Sequence, residues 1–208
     1  ITSSIFDEVQ MTVDDVILDI GANDGTMLSF VRDKCITVGI DPAKNLFKSL
    51  EKNCDYGSNS FWNALAYSKL AEANGLPKPK VVTAIGMFYD LEDPITFVRD
   101  IAKTMHDDGI FVAQLMTLEP MLEKNDLGNL CHEHLEFYTY SSLVYLFEQS
   151  GLEIYKITEN ETNGGSYRIF SRKFRNGSID YAQKIDYKEI DAFKMRLDKI
   201  GSELRSLL

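Results

Sequence analysis

Short apolar runs alternate with amphipathic segments along the first half of the chain, and few folds are compatible with that order. The first unit consists of a strand and a glycine-rich turn, DVILDIGANDG, followed by a helix, TMLSFVRD. The second unit repeats the order with CITVGIDPA and AKNLFKSLEKN. Strands that are apolar along nearly their whole length are typical of a parallel sheet covered by helices on both faces. The sequence therefore predicts an α/β fold that begins βαβα.

The middle of the chain continues this alternation. It contains a weaker third strand within SNSFWNALAY and then a loop, EANGLPKPK. A buried strand, VVTAIGMF, a helix, DPITFVRDIAKTMHDDG, and a further buried strand, IFVAQLM, follow. Five strands are thus expected to run parallel, with helices between them.

The pattern changes after the fifth strand. A polar loop or short helix is expected in TLEPMLEKNDLGN, and a helix capped by Thr139 and ended by Gly151 in SSLVYLFEQSG. Two strands follow in LEIYKITENETNGGSYRIFSRK, joined by a hairpin turn that contains Asn163, Gly164 and Gly165. The whole order predicts a mostly parallel seven-stranded sheet that ends in an antiparallel C-terminal hairpin.

We divide the chain into a domain over residues 1–178 and a C-terminal amphipathic helix over 179–208. The apolar positions of that helix are Ile185, Ile190, Phe193, Leu197, Ile200 and Leu204. Because the chain starts at Ile1 and ends in this helix, we interpret it as part of a longer protein, with the helix as a linker to a further domain. The alternative is a free-standing protein whose last helix packs on its own sheet or dimerises.

The composition of the chain argues against several classes of binding partner and location. The formal net charge is −10, which argues against nucleic acid, because neutralising phosphates requires a basic face. No apolar run approaches the roughly 18 residues of a membrane span, and the first ten residues lack a signal-peptide pattern. Cys35, Cys54 and Cys131 are scattered without a CxxC pair, so we expect reduced thiols, no bound metal and a cytoplasmic location.

The glycine-rich turn is the first candidate binding site. It places Asp19, Gly21, Asn23 and Gly25 in LDIGANDGT, a spacing that differs from the dinucleotide motif GxGxxG. Such a turn lets a ligand approach the backbone, and a nearby carboxylate suits an amino-acid tail better than a pyrophosphate. Asp41 follows the second strand, where an acidic side chain can accept both hydroxyls of a ribose. A dinucleotide site and a purely structural turn remain alternatives.

These features together resemble the S-adenosylmethionine (SAM) motifs of class I methyltransferases. The resemblance implies that SAM is the cofactor and S-adenosylhomocysteine (SAH) the product. In AIGMFYDLEDP it places Gly86 and Met87 near the methionine part of SAM. In WNALAY it makes Asn63 and Ala64 candidates for contacts to the adenine edge.

Two histidines flank a glutamate in NLCHEHLEFYTY, and a metal site, an acid/base pair or ordinary polar residues are conceivable there. CHEHLEFYTYSSL, followed about thirty residues later by NGGSYRIF, resembles the central domain of C-methyltransferases that act on nucleotide-linked keto-deoxysugars. That resemblance implies that His134 and Glu133 are catalytic. We expect His132 to point away, because neighbours in an extended segment face opposite sides. Many members have a tyrosine where this chain has Cys131, so another phenol, Tyr138 or Tyr167, is expected to replace it.

The sequence therefore predicts SAM-dependent methyl transfer to a small-molecule acceptor. The expected reaction is C-methylation of a nucleotide-linked keto-deoxysugar or a related carbonyl compound through an enolate, with His134 as the base. The alternatives are an O-methyltransferase in which His134 deprotonates a hydroxyl, and a SAM- or SAH-binding module without catalysis.

Overall fold

The protein is built around one seven-stranded sheet in a computed structural model that describes residues 1–162, 165–181 and 185–207. The strands are β1 Val16–Ile20, β2 Ile36–Ile40, β3 Tyr56–Ser58, β4 Val81–Ile85, β5 Ile110–Met116, β6 Leu152–Asn160 and β7 Ser166–Lys173. They lie in the order β3-β2-β1-β4-β5-β7-β6. The first five are parallel, β7 is antiparallel to β5, and β6 is antiparallel to β7. The predicted fold class is confirmed.

Helices connect the strands. They are α1 Thr2–Glu8, α2 Thr26–Ser29, α3 Phe47–Asn53, α4 Ala64–Asn74, α5 Pro94–Thr104, α6 Leu118–Lys124, α7 Tyr140–Gln149 and α8 Tyr187–Ser206. The predicted cap of α7 is confirmed, because the Thr139 side chain accepts a hydrogen bond from the Ser142 N–H. The predicted hairpin is also confirmed in β6 and β7, although Asn163 and Gly164 of its turn lie outside the described residues.

The core has two layers because side chains alternate between the faces of each strand. Ile17 packs on one face with Leu28 of α2 and Leu50 of α3. Its neighbour Leu18 points to the opposite face, where the core also contains Phe147 of α7. The parallel strands are buried on both sides, which explains why their sequences are apolar almost throughout.

The expectation of a third strand within SNSFWNALAY is wrong for most of that segment. The third strand is Tyr56–Ser58, which pairs with β2 in a register that ends at Ile40 and Ser58. The chain then forms α4 from Ala64, because the Asn63 side chain accepts a hydrogen bond from the Ala66 N–H and caps a helix. Its last turn takes in the first residues of the predicted loop.

The two remaining helices of interest differ from expectation in length or packing. The helix predicted over TMLSFVRD is α-helical only as far as Ser29, after which the Val31 N–H bonds to the Leu28 carbonyl in a tighter turn. The C-terminal helix α8 contacts α6 through Phe193, which is buried with Met121 and Leu122. The predicted helix over 179–208 begins too early, since α8 starts only at Tyr187 and Ile185 precedes it. The other predicted apolar positions are partly or largely exposed, and the division of the chain near residue 178 stays a prediction.

Candidate active site

The glycine-rich turn lies at the carboxyl end of β1 and has an unusual backbone. Gly21, Asn23 and Gly25 have positive φ angles of 71°, 53° and 78°. A Cβ atom added at Gly21 would lie 2.9 Å from Cγ of Met87, which follows β4. Only glycine therefore fits where the turn meets that segment. The structure brings together two of the predicted cofactor segments, at the sheet edge where ligands bind in open α/β folds.

Asp19 is the acidic group beneath this turn. Its carboxylate is almost fully buried and accepts a hydrogen bond of 2.6 Å from the Thr83 hydroxyl on β4. Burial raises the pKa of Asp19 to about 7, and the negative charge of Asp41 adds to the increase. A ligand ammonium group would favour the ionised form. Thr83 was not predicted as a site residue, although a polar residue inside the apolar run VVTAI was a signal for it.

Asp41 fastens the turn to the end of β2. One carboxylate oxygen accepts from the Asn23 N–H at 2.8 Å, and the other accepts from the Ala43 N–H at 2.7 Å. Each carboxylate oxygen can accept more than one hydrogen bond, so both can still accept from ligand hydroxyls. The chemistry of this cradle, with two acids and a glycine turn, fits the amino-acid tail and ribose of SAM.

Asn63 and Ala64 lie at the start of α4 and have structural partners. The Asn63 side-chain oxygen caps the helix by accepting from the Ala66 N–H at 2.9 Å, and the Ala64 N–H donates to Asp100 at 3.0 Å. A ligand contact from this pair would have to use other atoms, and their adenine role stays a prediction. Asn63 does line a surface cavity of about 360 Å³ together with Ser58, at the end of β3.

A second cavity, of about 660 Å³, lies beyond the carboxyl ends of β4 and β5, and its size is typical of small-molecule sites. We call it the His134 cavity. The described residues that line it are Tyr89, Met116, Lys124, Asp126, Gly128, Asn129 and His134. Except for His134, none of them was predicted as a site residue. They come from three separate stretches of the chain, so no single motif could reveal them.

The imidazole of His134 is held by the backbone. Its Nδ1 atom lies 2.9 Å from the Asn129 carbonyl oxygen, and its ring centroid lies 4.3 Å from that of Tyr89. A carbonyl oxygen can only accept, so Nδ1 carries the hydrogen. In the neutral ring, Nε2 is then the nitrogen that can take up a proton. This arrangement suits a general base in the cavity.

The other polar residues of the CHEH stretch are less enclosed. Cys131, His132 and Glu133 are exposed, and Glu133 makes no hydrogen bond to His134 in the part of the chain that the structure describes. Asp90 is an acidic side chain whose pKa is influenced by both His134 and Glu133. Partial burial raises the pKa of Asp90, His134 opposes the increase, and Glu133 adds to it. The catalytic role of Glu133 stays a prediction.

Neither tyrosine expected to replace the missing phenol is among the described residues that line the His134 cavity. Tyr138 is buried against Phe88, with ring centroids 5.5 Å apart. Tyr167 is fully buried on β7 and packs against Tyr181. The tyrosine that does line the cavity is Tyr89.

The described residues contain neither a metal-binding cluster nor a membrane-spanning helix. No group of three or more histidine, cysteine, aspartate or glutamate side chains there is arranged to hold a metal ion. No helix in the described ranges combines the length and the apolar character needed to cross a bilayer.

Comparison with known proteins identifies the class. Residues 9–157 match the family described as methyltransferase domain. The C-methyltransferase NovU of Streptomyces niveus is 25% identical over 166 residues, which make up 79% of this chain and 39% of NovU. The chain therefore spans about two fifths of the length of that relative.

Solved structures share the fold. One belongs to the complex between the Haloferax volcanii Trm112 methyltransferase activator and a methyltransferase, with a TM-score of 0.63, 14% identity, and 83% and 89% of the two chains covered. Another is the Burkholderia thailandensis 1,6-didemethyltoxoflavin-N1-methyltransferase with bound S-adenosylhomocysteine, with a TM-score of 0.62, 11% identity, and 84% and 76% covered.

This chain belongs to the methyltransferase-domain family. It is a class I SAM-dependent methyltransferase domain, and its cofactor is SAM.

Replacing Asp41 by asparagine is expected to weaken SAM binding by about 1–3 kcal/mol, because a ribose hydroxyl loses a charged acceptor. Calorimetry with SAM and SAH measures the change. Asp55 is a matched control, since its carboxylate also accepts a backbone N–H, from Thr37, but at the opposite edge of the sheet. Asp55→Asn should keep the affinity, and an unchanged affinity in Asp41→Asn would place the ribose contact elsewhere.

Proposed function

We propose that the domain transfers the methyl group of SAM to a carbon atom next to a ketone. The observation that carries this proposal is the position of His134. Its Nδ1 is hydrogen-bonded to the Asn129 carbonyl, and its Nε2 can act as a base. His134 lines a cavity with Tyr89, which belongs to the segment after β4 whose Met87 lies against Gly21.

The chemistry explains why a base is needed. SAM, when bound, supplies an electrophilic methyl group, so the remaining obstacle is the weak acidity of the acceptor C–H bond. His134 Nε2 takes that proton, and the C–H electron pair moves into the carbonyl group to give an enolate. The enolate carbon is then the nucleophile that would accept the methyl group, with the methyl–sulfur bond broken and SAH released as the C–C bond forms.

We further propose a nucleotide-linked keto-deoxysugar as the acceptor. Asp126 and Asn129 offer hydrogen-bonding groups of the kind that bind sugar hydroxyls, and Lys124 offers a positive charge for a phosphate. NovU, whose name describes C-methylation, supports the same type of reaction. The three free cysteines are compatible with a cytoplasmic location, which we also propose.

O-methylation is the second candidate, because His134 in the same position could take a proton from a hydroxyl. The two reactions differ in one observable. C-methylation requires that the hydrogen next to the ketone can be removed before any methyl group is transferred. O-methylation does not.

The test is solvent exchange with SAH bound in place of SAM. We expect the protein to exchange the hydrogen next to the ketone of a nucleotide-linked keto-deoxysugar for solvent deuterium, as followed by NMR. With SAM present, the methyl group should appear on that carbon. A protein that methylates a hydroxyl and never exchanges this hydrogen would contradict the C-methylation proposal.

A further inference from the structure

A buried phenol, Tyr89, lies between the predicted cofactor segments and His134. Its hydroxyl donates a hydrogen bond of 2.8 Å to the Gly86 carbonyl oxygen, at the end of β4. Its ring packs on the imidazole of His134 with centroids 4.3 Å apart. Tyr89 also lines the His134 cavity, where it carries the only hydroxyl among the described lining residues. It is therefore close to both reaction partners of the proposed function.

The backbone fixes Tyr89 and His134 relative to each other. The carbonyl oxygen of Tyr89 accepts from the N–H groups of Leu135 and Glu136, at 2.9 and 3.1 Å. These two residues directly follow His134 in the chain. The phenol and the imidazole are thus held at one site, although they are 45 positions apart in the sequence.

Two other lining side chains with donor groups, Lys124 and Asn129, each have a carboxylate partner but keep further N–H groups for a ligand. Lys124 pairs with Glu161 at the surface. The amide nitrogen of Asn129 donates to Asp126 at 3.0 Å. The hydrogen bond from Tyr89 to the Gly86 carbonyl oxygen is weaker than these two, because it joins two neutral groups. A hydrogen bond to a negatively charged oxygen is roughly twice as strong, so exchanging one acceptor for the other is favourable.

We propose that Tyr89 is a catalytic residue that donates a hydrogen bond to the acceptor oxygen on which negative charge develops. This inference rests on the proposed function. The proton next to the ketone goes to His134 Nε2, and the electron pair goes to the carbonyl oxygen. Tyr89 keeps its own proton and stabilises that oxygen as a donor, in the manner of an oxyanion hole.

The environment of Tyr89 keeps its hydroxyl protonated. Burial raises the pKa of Tyr89, with smaller contributions from Asp90 and Cys131, so the hydroxyl stays neutral and can donate a hydrogen bond.

Tyr89→Phe is expected to slow solvent deuterium exchange in a nucleotide-linked keto-deoxysugar, with SAH bound, about 10- to 100-fold. SAH affinity, measured by calorimetry, should stay within about threefold, because no proposed contact to SAH is removed. Tyr138→Phe is the matched control. It removes a buried hydroxyl that has no hydrogen-bond partner among the described residues and is outside the set that lines the cavity. That variant should exchange at the parent rate.

A second readout needs no natural acceptor. The probe is 4-nitrophenolate, whose oxygen carries the delocalised negative charge of an enolate and whose absorbance changes on binding. With SAH present, Tyr89→Phe should weaken its binding about 10- to 100-fold, whereas Tyr138→Phe should not.

The outcomes separate this inference from the proposed function. If the parent never exchanges the hydrogen, the proposed C-methylation fails. If the parent exchanges it and Tyr89→Phe does so at the same rate and binds 4-nitrophenolate equally well, only the role of Tyr89 is overturned. A loss that is accompanied by an equal loss of SAH affinity would also overturn it, because the residue would then support the cofactor side.

Discussion

His134→Ala is expected to lower the rate of methyl transfer by ~10²–10⁴-fold, the usual contribution of a positioned general base. SAM affinity should change little, because His134 lies on the acceptor side of the site, beyond Tyr89. The rate is measured with a nucleotide-linked keto-deoxysugar, and affinity by calorimetry. His134→Asn should be nearly as slow, since its amide can still donate to the Asn129 carbonyl but offers no basic nitrogen.

Neighbouring residues provide the controls for this prediction. His132 is exposed, and His132→Ala should keep nearly the parent rate. Glu133→Gln should cost less than His134→Ala, because Glu133 makes no hydrogen bond to the imidazole among the described residues. A His134→Asn protein that kept the parent rate, or a His132→Ala protein as slow as His134→Ala, would contradict the assignment of the base.

The sequence predicted the sheet well because each strand is indicated by a pattern of consecutive residues. In β1 and β5 every residue is buried, and each strand has only one polar residue, Asp19 or Gln114. An almost wholly apolar run between turn residues has few other interpretations. Where the pattern was weak, the prediction was wrong. Leu65 is largely exposed on α4, so this helix lacks a continuous apolar stripe. The sequence signal for the helix is instead its N-terminal cap, Asn63.

The candidate site was predictable only in part, for a physical reason. Asp19 and Gly21 belong to one turn whose spacing has a chemical meaning, and His134 belongs to a recognisable motif. Tyr89 belongs to the site only because the segment after β4 packs against the CHEH stretch. That is a tertiary contact, which the sequence pattern does not predict. The hydrogen bond of His134 to the Asn129 carbonyl could not be predicted either, because every residue has a backbone carbonyl and the residue type does not show which one is used.

The largest expected effect on stability concerns Glu153 on β6, whose side chain is almost completely buried. One carboxylate oxygen accepts the N–H groups of Arg175, Asn176 and Gly177, at 2.7 to 2.8 Å. The other accepts from Nε of Arg172, on β7, at 2.8 Å. A single carboxylate therefore fastens the chain after β7 to the edge strand of the sheet.

Glu153→Gln is expected to lower the free energy of unfolding by about 1.5–3 kcal/mol, because no orientation of an amide satisfies both sides. If its oxygen accepts the three N–H groups, its NH₂ group faces the Arg172 guanidinium. Urea denaturation measures the change. Asp107→Asn is the control, since Asp107 pairs with Lys173 but is 81% exposed, and water screens the attraction in such a pair.

The acid dependence of stability supplies a second test of Glu153. The hydrogen bonds from Arg175, Arg172, Asn176 and Gly177 outweigh the cost of burial and lower the pKa of Glu153 from 4.5 to about 2. Because the folded pKa lies below the unfolded one, its contribution is fully present above about pH 4.5 and is lost as the pH falls towards 2. The stability difference between the parent and Glu153→Gln should therefore shrink across that window. A difference that stays constant from pH 6 to pH 3 would contradict an ionised Glu153, and the loss would then come from altered packing alone.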